Sequence, residues 1–284
     1  MRAGPDRRES LADVVADIRD GTRLALCGFA ITRNAVAFAH ELVRARRHRL
    51  SLTQVIGGME TDLLVAAGAV DDLSYGGGSL DRFGPLHAVN RAAMAGTLRL
   101  VEYSALALTL RLHAGALGLP FIATRSLLGS DLAQALIAGG HARLAEDPFD
   151  GTPCLVLPPL RTDVAVVHVD VADTAGNAVI AGPTWSIPET VRAADTVIVL
   201  AEEVVDVGAI DPSHVHIPAA LVHAVVAAPR GAYPTAVFGR YDYDGAHLRR
   251  YAQAAADAAG TAAYLDEWVF GTGTFDAFLS KAAA

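Results

Sequence analysis

Glu102 is a carboxylate that stands between a strand-like run and an apolar helix-like run, so its position raises the question of a chemical role. It lies in "LRLVEYSALALTLRLHAGALGLPF", residues 98–121, where the run "TLRLVEY" is typical of a strand and Ser104 is a suitable N-cap for a helix from Ala105. Glu102 is therefore expected at the carboxyl end of a strand, where open α/β sheets bind ligands. There it can face solvent or accept bonds from backbone amides, or it can be a partly desolvated general base or nucleophile. These residues leave both interpretations open.

Glycine follows each of the first three predicted strands, in "CGFAITRN", "GGMETD" and "GGGSLDRFG". Glycine lets the backbone approach a ligand closely, and a helix that starts after such a loop attracts anionic groups. None of the three matches the dinucleotide or P-loop pattern. Tight turns explain any one loop as well as a ligand does, but three in succession predict a shared crevice.

The other side chains that could catalyse lack a supporting motif. Ser79 and Ser130 lie in loops but not in a Gly-x-Ser-x-Gly turn, so hydrogen bonding or capping is favoured over nucleophilic attack. His168 and His216 alternate with valine or isoleucine, which is typical of strand histidines. Since no His-Glu-x-x-His or comparable spacing occurs, we predict no metal site.

Two pairs of carboxylates compete with Glu102. Glu60 and Asp62 open a predicted helix, where they meet its positive end. Glu202 and Glu203 follow a core strand and can orient a loop or pair with an arginine across a subunit contact. We leave both pairs out of the predicted site.

The elements that position these residues follow a β-α-β rhythm. Strand-like and helix-like runs form four pairs in the first 118 residues, starting with "TRLALC" and "NAVAFAHELVRARR". A Pro- and Gly-rich stretch over 147–163 is interpreted as an excursion before the core strands "VAVVHVDVAD" and "DTVIVLAEEVVD". A short helix near "PETVRAA" and a helical C-terminal stretch complete the pattern. We predict an α/β fold with a mostly parallel, buried sheet in a single domain over residues 1–284.

Composition limits the function. Hydrophobic residues make up 52% of the 284 positions and charged residues 19%, so a partner subunit is the simplest cover for part of the surface. No apolar run reaches the roughly 18 residues of a membrane span, and a net charge of −8 without a basic stripe argues against nucleic acid. The N-terminus lacks an apolar signal region, and Cys27 and Cys154 make no disulfide framework. A cytoplasmic protein is expected.

The sequence resembles the family I coenzyme A transferases along nearly its whole length. The matching stretches are "DGTRLALCGFAITRNAVAFAHEL", "GGMETDLLVAAGAV", "GGGSLDRFG", "VEYSALALTLRLHAGALGLPFIATRSLLGSDL" and "DVADTAGNAVIAG". The resemblance is to the α subunits of these enzymes, especially those like glutaconate CoA-transferase. It implies a three-layer α/β/α fold and a heteromer with a β subunit, as a heterodimer or α2β2. Cys27 departs from the usual Gly-Gly-Phe, and "SALALT" replaces the usual Pro-Gln-Gly-Thr after Glu102.

The resemblance also implies a chemistry. Family transferases use a β-subunit glutamate, in a Glu-Asn-Gly context that this chain lacks, to attack an acyl-CoA. The first hypothesis is thus a transferase subunit that uses acyl-CoA and a carboxylic acid as substrates and binds no cofactor. The second is a ring-opening CoA-thioester hydrolase that uses Glu102 as its catalytic residue, and the third is a noncatalytic scaffold. The residues predicted to bind substrate are Gly28, Phe29, Ala30, Gly57, Gly58, Gly77, Gly78, Ser79 and Ser130.

Overall fold

The computed structural model describes residues 5–283 and contains two β-sheets. The strands are β1 (Arg23–Leu26), β2 (Leu50–Gln54), β3 (Val70–Tyr75), β4 (Arg99–Glu102), β5 (Ile122–Thr124), β6 (Arg143–Glu146), β7 (Pro153–Leu157), β8 (Thr162–Asp173), β9 (Ala178–Val179), β10 (Ala194–Val205) and β11 (Ala224–Ala227). The helices are α1 (Leu11–Ala16), α2 (Val36–Arg44), α3 (Met59–Ala66), α4 (His87–Met94), α5 (Ala105–Leu117), α6 (Asp131–Ala138), α7 (Ile187–Arg192), α8 (Gly245–Ala255), α9 (Ala258–Tyr264) and α10 (Phe275–Ala282). A π-helical turn, Leu265–Phe270, follows α9.

The main sheet has the strand order β11-β10-β8-β1-β2-β3-β4, and all of these neighbours are parallel. The first four strands step outward from β1 to the edge strand β4, and the chain then returns to place β8 on the other side of β1. The strand order therefore reverses between β1 and β8, and ligands of open α/β sheets bind at the carboxyl edge near such a point. The short β9 pairs antiparallel with β8.

Alternating side chains of the strands face two helical layers, as a period of two requires. Leu24 and Leu26 point into the larger core, which α1–α4, α8, α9 and α10 cover. Ala25 and Cys27 point to the opposite face, where α7 packs. The three-layer arrangement and the predicted parallel sheet are confirmed.

The local predictions hold for the first half of the main sheet, since β1–β4 are each followed by a helix. The predicted strands β8 and β10, the short helix α7 and the helical C-terminal stretch are also present. The segment 147–163 lies between the two halves, but it contains β7, which forms an antiparallel sheet of order β5-β7-β6. That second sheet was not predicted, nor was the edge strand β11.

Two histidines are buried among aromatic rings where α8–α10 meet α2. His40 packs 4.6 Å from Phe278 between ring centroids, and neither of its ring nitrogens has a hydrogen-bond partner among residues 5–283. His247 Nε2 lies 2.8 Å from the Tyr264 hydroxyl. Burial lowers the pKa of His40 well below its usual value and that of His247 to about 4. Both side chains are neutral at pH 7.

We expect this cluster to make the chain unstable in acid. Because the folded-state pKa of His247 is lowered to about 4, its contribution is present above about pH 6.5 and is lost as the pH falls toward 4. That loss is about 3 kcal/mol for His247, with a further loss from His40. Urea unfolding at pH 7 and pH 5 measures it. His40→Leu should raise the urea midpoint more at pH 5 than at pH 7, and an equal change at both would contradict this explanation.

Candidate active site

The loops that follow β1, β2 and β3 lie side by side at the carboxyl edge of the sheet. We call them loop 1 (residues 27–34), loop 2 (55–58) and loop 3 (76–80). Phe29 of loop 1 forms a parallel bridge with Ile56 of loop 2, and Gly57 forms another with Gly78 of loop 3. The structure thus brings eight of the predicted binding residues together, namely Gly28, Phe29, Ala30, Gly57, Gly58, Gly77, Gly78 and Ser79.

Glycine is required where these loops touch. A Cβ atom on Gly58 would lie 2.1 Å from the Ala30 carbonyl oxygen, and one on Gly78 would lie 2.6 Å from the Gly57 carbonyl oxygen. Gly77 also has a φ of +117°, which is strained for other residues. The glycines therefore allow the loops to pack closely against one another. This role differs from the tight turns that the sequence alone suggested.

Some backbone N–H groups in the loops are already hydrogen-bonded, and others are not. Gly57 N–H donates to the Gly77 carbonyl at 2.8 Å, and Ser79 N–H donates to the Gly57 carbonyl at 3.2 Å. The N–H groups of Gly28, Gly58 and Gly78 donate to no atom within residues 5–283. Free backbone donors at one edge are the groups that can stabilise negative charge on an acyl oxygen.

Glu102 ends the edge strand β4 and is exposed. It pairs in register with Tyr75, which pairs with Gln54, so the three side chains project from the same face of the sheet. Because neighbouring strands are about 4.8 Å apart, Glu102 is roughly 14 Å from the end of β1. Glu102 and loop 1 therefore lie at opposite ends of the edge. Ser104 caps α5 by accepting from Ala107 N–H at 3.1 Å, as predicted.

Tyr75 connects Glu102 to the loops, a contact that nothing in the sequence indicates. Its ring would be 2.9 Å from a Cβ on Gly78, and its hydroxyl donates to the Gly78 carbonyl at 3.3 Å. Burial, followed by the negative charge of Glu102, raises the pKa of Tyr75 to about 12. The hydroxyl stays protonated at neutral pH and is a hydrogen-bond donor beside Glu102.

Glu60 is a second residue that the sequence interpretation left out. It opens α3 as expected, but it is fully buried, and Asn34 Nδ2 and Gln54 Nε2 donate to its carboxyl oxygens, the latter at 2.8 Å. Burial raises the pKa of Glu60 to about 8. The sequence did contain an indication that Glu60 is buried. The carboxylates of "METDLLVA" lie in a helix without a separate polar face, and such a helix is usually buried.

Asp62, the other acid of α3, serves the neighbouring helix. It accepts from Val89 N–H at 3.0 Å, in the first turn of α4, and from the Tyr251 hydroxyl at 2.9 Å. Burial raises its pKa to about 6. Asp62 thus anchors α4 and α8 rather than the loops.

The two predicted serines bond to nearby backbone. Ser79 Oγ accepts from the N–H of Asp81, the residue after loop 3, at 3.1 Å. Ser130 Oγ caps α6, accepting from Ala133 N–H at 3.1 Å and donating to the Leu127 carbonyl at 2.7 Å. Ser130 belongs to the part of the chain that packs with the small sheet, and its hydrogen bonds do not connect it to the three loops.

An aromatic pair and a buried ion pair flank loop 1. Phe29 stacks on Trp185 with ring centroids 5.0 Å apart, and 38% and 37% of their surfaces are exposed. Beneath them, Arg33 Nη1 lies 2.8 Å from Asp170 Oδ2 on β8, and both side chains are buried. The ion pair ties loop 1 to β8, at the point where the strand order reverses.

The other carboxylates and histidines have structural partners. His168 is buried in β8, as predicted, with Nε2 2.9 Å from Glu202 Oε1, and Glu202 Oε2 accepts from Arg230 N–H at 2.7 Å. Glu203 lies 3.5 Å from the Arg240 guanidinium within the same chain. Glu202 thus orients a loop, which was one of the two expected roles.

Two further observations concern metals and membranes. Among residues 5–283, no three His, Cys, Asp or Glu side chains are grouped so that they could hold a metal ion. In the same part of the chain, no helix has both the length and the apolar character needed to cross a bilayer. Cys27 and Cys154 are both buried and unbonded.

Comparison with known proteins identifies the family. The coenzyme A transferase family model matches residues 8–228, and the chain belongs to that family. It is 31% identical over 269 residues to the A subunit of 3-oxoadipate CoA-transferase from Pseudomonas knackmussii, covering 94% of each chain. The crystal structure of glutaconate coenzyme A-transferase from Acidaminococcus fermentans superposes with a TM-score of 0.92 at 28% identity, covering 98% of this chain and 93% of that one.

Other relatives carry different names. The chain is 29% identical over 281 residues to the cholesterol ring-cleaving hydrolase IpdA subunit of Mycobacterium tuberculosis, covering 94% of each. It is 32% identical over 280 residues, 96% of its length, to an uncharacterized protein of Archaeoglobus fulgidus, but spans only 62% of that protein. The predictions of the family and of the fold are confirmed, and the chain is similar to the A subunits of CoA-transferases over nearly its whole length. The roles of individual site residues stay predictions.

Proposed function

We propose that this chain is the α subunit of a cytoplasmic enzyme that moves CoA between an acyl-CoA and a carboxylic acid, together with a separate β subunit in a heterodimer or α2β2. The observation that carries the proposal is the row of loops 1–3 at the carboxyl edge of the sheet, with free N–H groups on Gly28, Gly58 and Gly78. Residues 1–284 are proposed to act as one domain in this complex. Its substrates are a CoA thioester and a carboxylate, without a resident cofactor or metal.

The β subunit supplies the nucleophile in this proposal. A glutamate oxygen attacks the thioester carbonyl, the C–S bond breaks, and CoA leaves as a thiolate, giving an acyl-glutamyl anhydride. The thiolate then attacks the glutamyl carbonyl, which releases the first acid and leaves an enzyme-CoA thioester. The acceptor acid reverses the same two steps and takes the CoA away.

The α chain stabilises charge and shapes the acyl site. Gly28, Phe29 and Ala30 form one side, and Gly77, Gly78 and Ser79 form the other, while Gly57 and Gly58 lie between them. The free N–H groups can donate to the oxyanion that forms when the carbonyl is attacked. Ser130 remains in the proposal only as a binding residue, and its capping bonds make it the weakest member.

A hydrolase is the second candidate, and Glu102 is the observation that favours it. Glu102 is exposed at the carboxyl edge beside a protonated Tyr75, so it can reach water and a bound thioester. The similarity to the ring-cleaving hydrolase of Mycobacterium tuberculosis points the same way. In that case Glu102 activates water or attacks the thioester itself, and no acceptor acid is needed.

A thioester assay decides between these functions. We expect CoA transfer only when this chain is co-purified with its β chain and supplied with an acceptor acid. Because Glu102 is not the nucleophile in a transferase, Glu102→Gln should retain transfer within about tenfold, whereas loss of a catalytic base costs about 10²–10⁴-fold. Glu146→Gln, at an exposed strand end of the small sheet, is the matched control.

Two other outcomes of this assay would contradict the transferase proposal. Thioester loss without acceptor, abolished by Glu102→Gln but not by Glu146→Gln, would make the enzyme a hydrolase. Unchanged activity after substitution of both Glu102 and the loop glycines would leave the chain a scaffold for the β subunit.

A further inference from the structure

Glu60 joins loop 1 to loop 2 beneath the candidate site. Asn34 ends loop 1, and its amide packs against loop 2, since a Cβ on Gly58 would lie 2.2 Å from Asn34 Nδ2. Gln54 ends β2, and its Nε2 also lies 3.4 Å from the Ile56 carbonyl of loop 2. Both amides donate to the carboxyl group of Glu60. This buried side chain therefore links the two loops through hydrogen bonds to both.

The surroundings of Glu60 favour its neutral form. It takes part in no ion pair within residues 5–283, and burial raises its pKa to about 8, although the amide and backbone N–H groups that donate to the carboxyl group act to lower the pKa. The Cys27 thiol at the start of loop 1 is a titratable group that it influences, and burial first, with Glu60 as a smaller contribution, raises the pKa of that thiol to about 12. No nearby cation compensates a negative charge, which makes a buried carboxylate costly.

The two amides can accommodate either protonation state of Glu60. Asn34 Oδ1 and Gln54 Oε1 are both buried and have no hydrogen-bond partner in the described part of the chain. A neutral carboxyl group needs one donor and one acceptor, whereas a carboxylate needs two donors. Turning one amide over exchanges its oxygen and nitrogen, so the O–H of a neutral Glu60 gains an acceptor, while the nitrogen of that amide loses the carboxyl oxygen to which it donated.

We propose that Glu60 is a positioning residue that, as a neutral acid held between Asn34 and Gln54, sets the spacing of loops 1 and 2 for catalysis. The inference rests on the proposed function, in which those loops bind the acyl group. When Glu60 ionises, the Asn34 amide rotates so that its nitrogen donates to the carboxylate. Because that amide lies against Gly58, the change moves the loop that carries a free N–H group.

Three variants test the inference in the α/β complex. Glu60→Gln copies the neutral acid, with one donor and one acceptor in nearly the same shape. Glu60→Leu removes both hydrogen bonds. Asp62→Asn is the matched control, because it alters a buried acid of the same helix that contacts α4 and α8 instead of the loops. Turnover and KM are measured from pH 6 to pH 10, and amide hydrogen exchange is measured over residues 27–34 and 55–58.

We expect Glu60→Leu to lower kcat about 10- to 100-fold with faster exchange in loops 1 and 2, since small errors of position have effects of this size. Glu60→Gln should rescue turnover to within about threefold at pH 7 and lack the fall in kcat that the native enzyme shows near pH 8. Asp62→Asn should keep that fall. The inference is overturned if Glu60→Leu leaves loop exchange and kcat unchanged, or if Glu60→Gln keeps the native pH profile.

A measurement on the full chain alone separates this inference from the proposed function. With its folded-state pKa raised to about 8, the contribution of Glu60 to stability is present below about pH 4.5 and is lost as the pH rises to 8. The unfolding equilibrium constant of the native chain should rise relative to that of Glu60→Gln by about tenfold per pH unit in this range. If no CoA thioester reacts, the proposed function fails, but this slope and the loop exchange still decide the role of Glu60. An equal slope in both proteins would refute the neutral acid.

Discussion

Asp170→Ala is expected to destabilise the chain by about 3–5 kcal/mol, because it leaves the Arg33 guanidinium buried without a counter-charge. Arg33 Nη1 lies 2.8 Å from Asp170 Oδ2, and only 1% of the Arg33 side chain is exposed. Asp170 Oδ2 also accepts from Ala181 N–H at 2.7 Å, and Arg33 Nη2 donates to the Ala181 carbonyl at 2.8 Å. The substitution thus removes contacts that join loop 1, β8 and the segment after β9.

Chemical denaturation of the native chain and three variants measures this effect. The double variant Arg33→Met with Asp170→Leu should be more stable than either Asp170→Ala or Arg33→Met alone, because no buried charge is left unpaired. Arg161→Ala is a matched control, since its pair with Asp195 at 2.5 Å is about half exposed on both sides and should cost at most about 1 kcal/mol. A loss for Asp170→Ala no larger than this control would show that the buried pair does not hold loop 1.

Gly58→Ala is expected to cost about 3 kcal/mol of stability and to lower turnover of the complex more than about 100-fold. The reason is steric: the new Cβ would lie 2.1 Å from the Ala30 carbonyl oxygen and 2.2 Å from Asn34 Nδ2. Gly58 has an extended backbone with φ −136°, which alanine tolerates, so backbone strain does not contribute. Loop 1 and loop 2 must separate to admit the methyl group, and the free N–H groups at this edge move with them.

Gly57→Ala provides the control in the same loop. Its Cβ would meet only side-chain atoms, of Tyr75, Leu86 and Thr61, at 3.1–3.2 Å. Such neighbours can give way by a few tenths of an ångström, so the cost should stay below about 1.5 kcal/mol. Thermal unfolding and steady-state kinetics of both variants check the contrast. Equal losses of stability and turnover at the two positions would mean that the contact between loops 1 and 2 is not the reason why residue 58 must be glycine.

Asp170 and Gly58 both position loop 1 at the same end of the sheet. Asp170 holds loop 1 against β8, and Gly58 lets loop 1 rest against loop 2. Phe29 of loop 1 also stacks on Trp185, and both rings are partly exposed. Glu102 stands at the other end of the row, about three strand spacings away. A thioester that used both ends would have to extend along the edge of the sheet.

Most of the local structure followed from the sequence because burial imposes its period on the chain. Runs such as "TRLALC" and "LSLTQVI" became central strands, and Ser104 capped α5 where its residue type predicted. Strands of the small sheet were harder to predict, because most residues of β5 and β6 are partly or fully exposed and give no alternating apolar pattern.

The sequence by itself determined the family, the parallel sheet and the placement of glycines after three successive strands. These properties depend on patterns within a few residues, and each parallel strand ends at the same edge. Tertiary structure alone decided that Asn34 and Gln54 enclose Glu60, that Tyr75 lies beside Glu102, and that Arg33 meets Asp170. Such contacts depend on strand order and register, which bring together residues far apart in the chain, and the burial that raises the pKa of Glu60 exists only once those elements have packed.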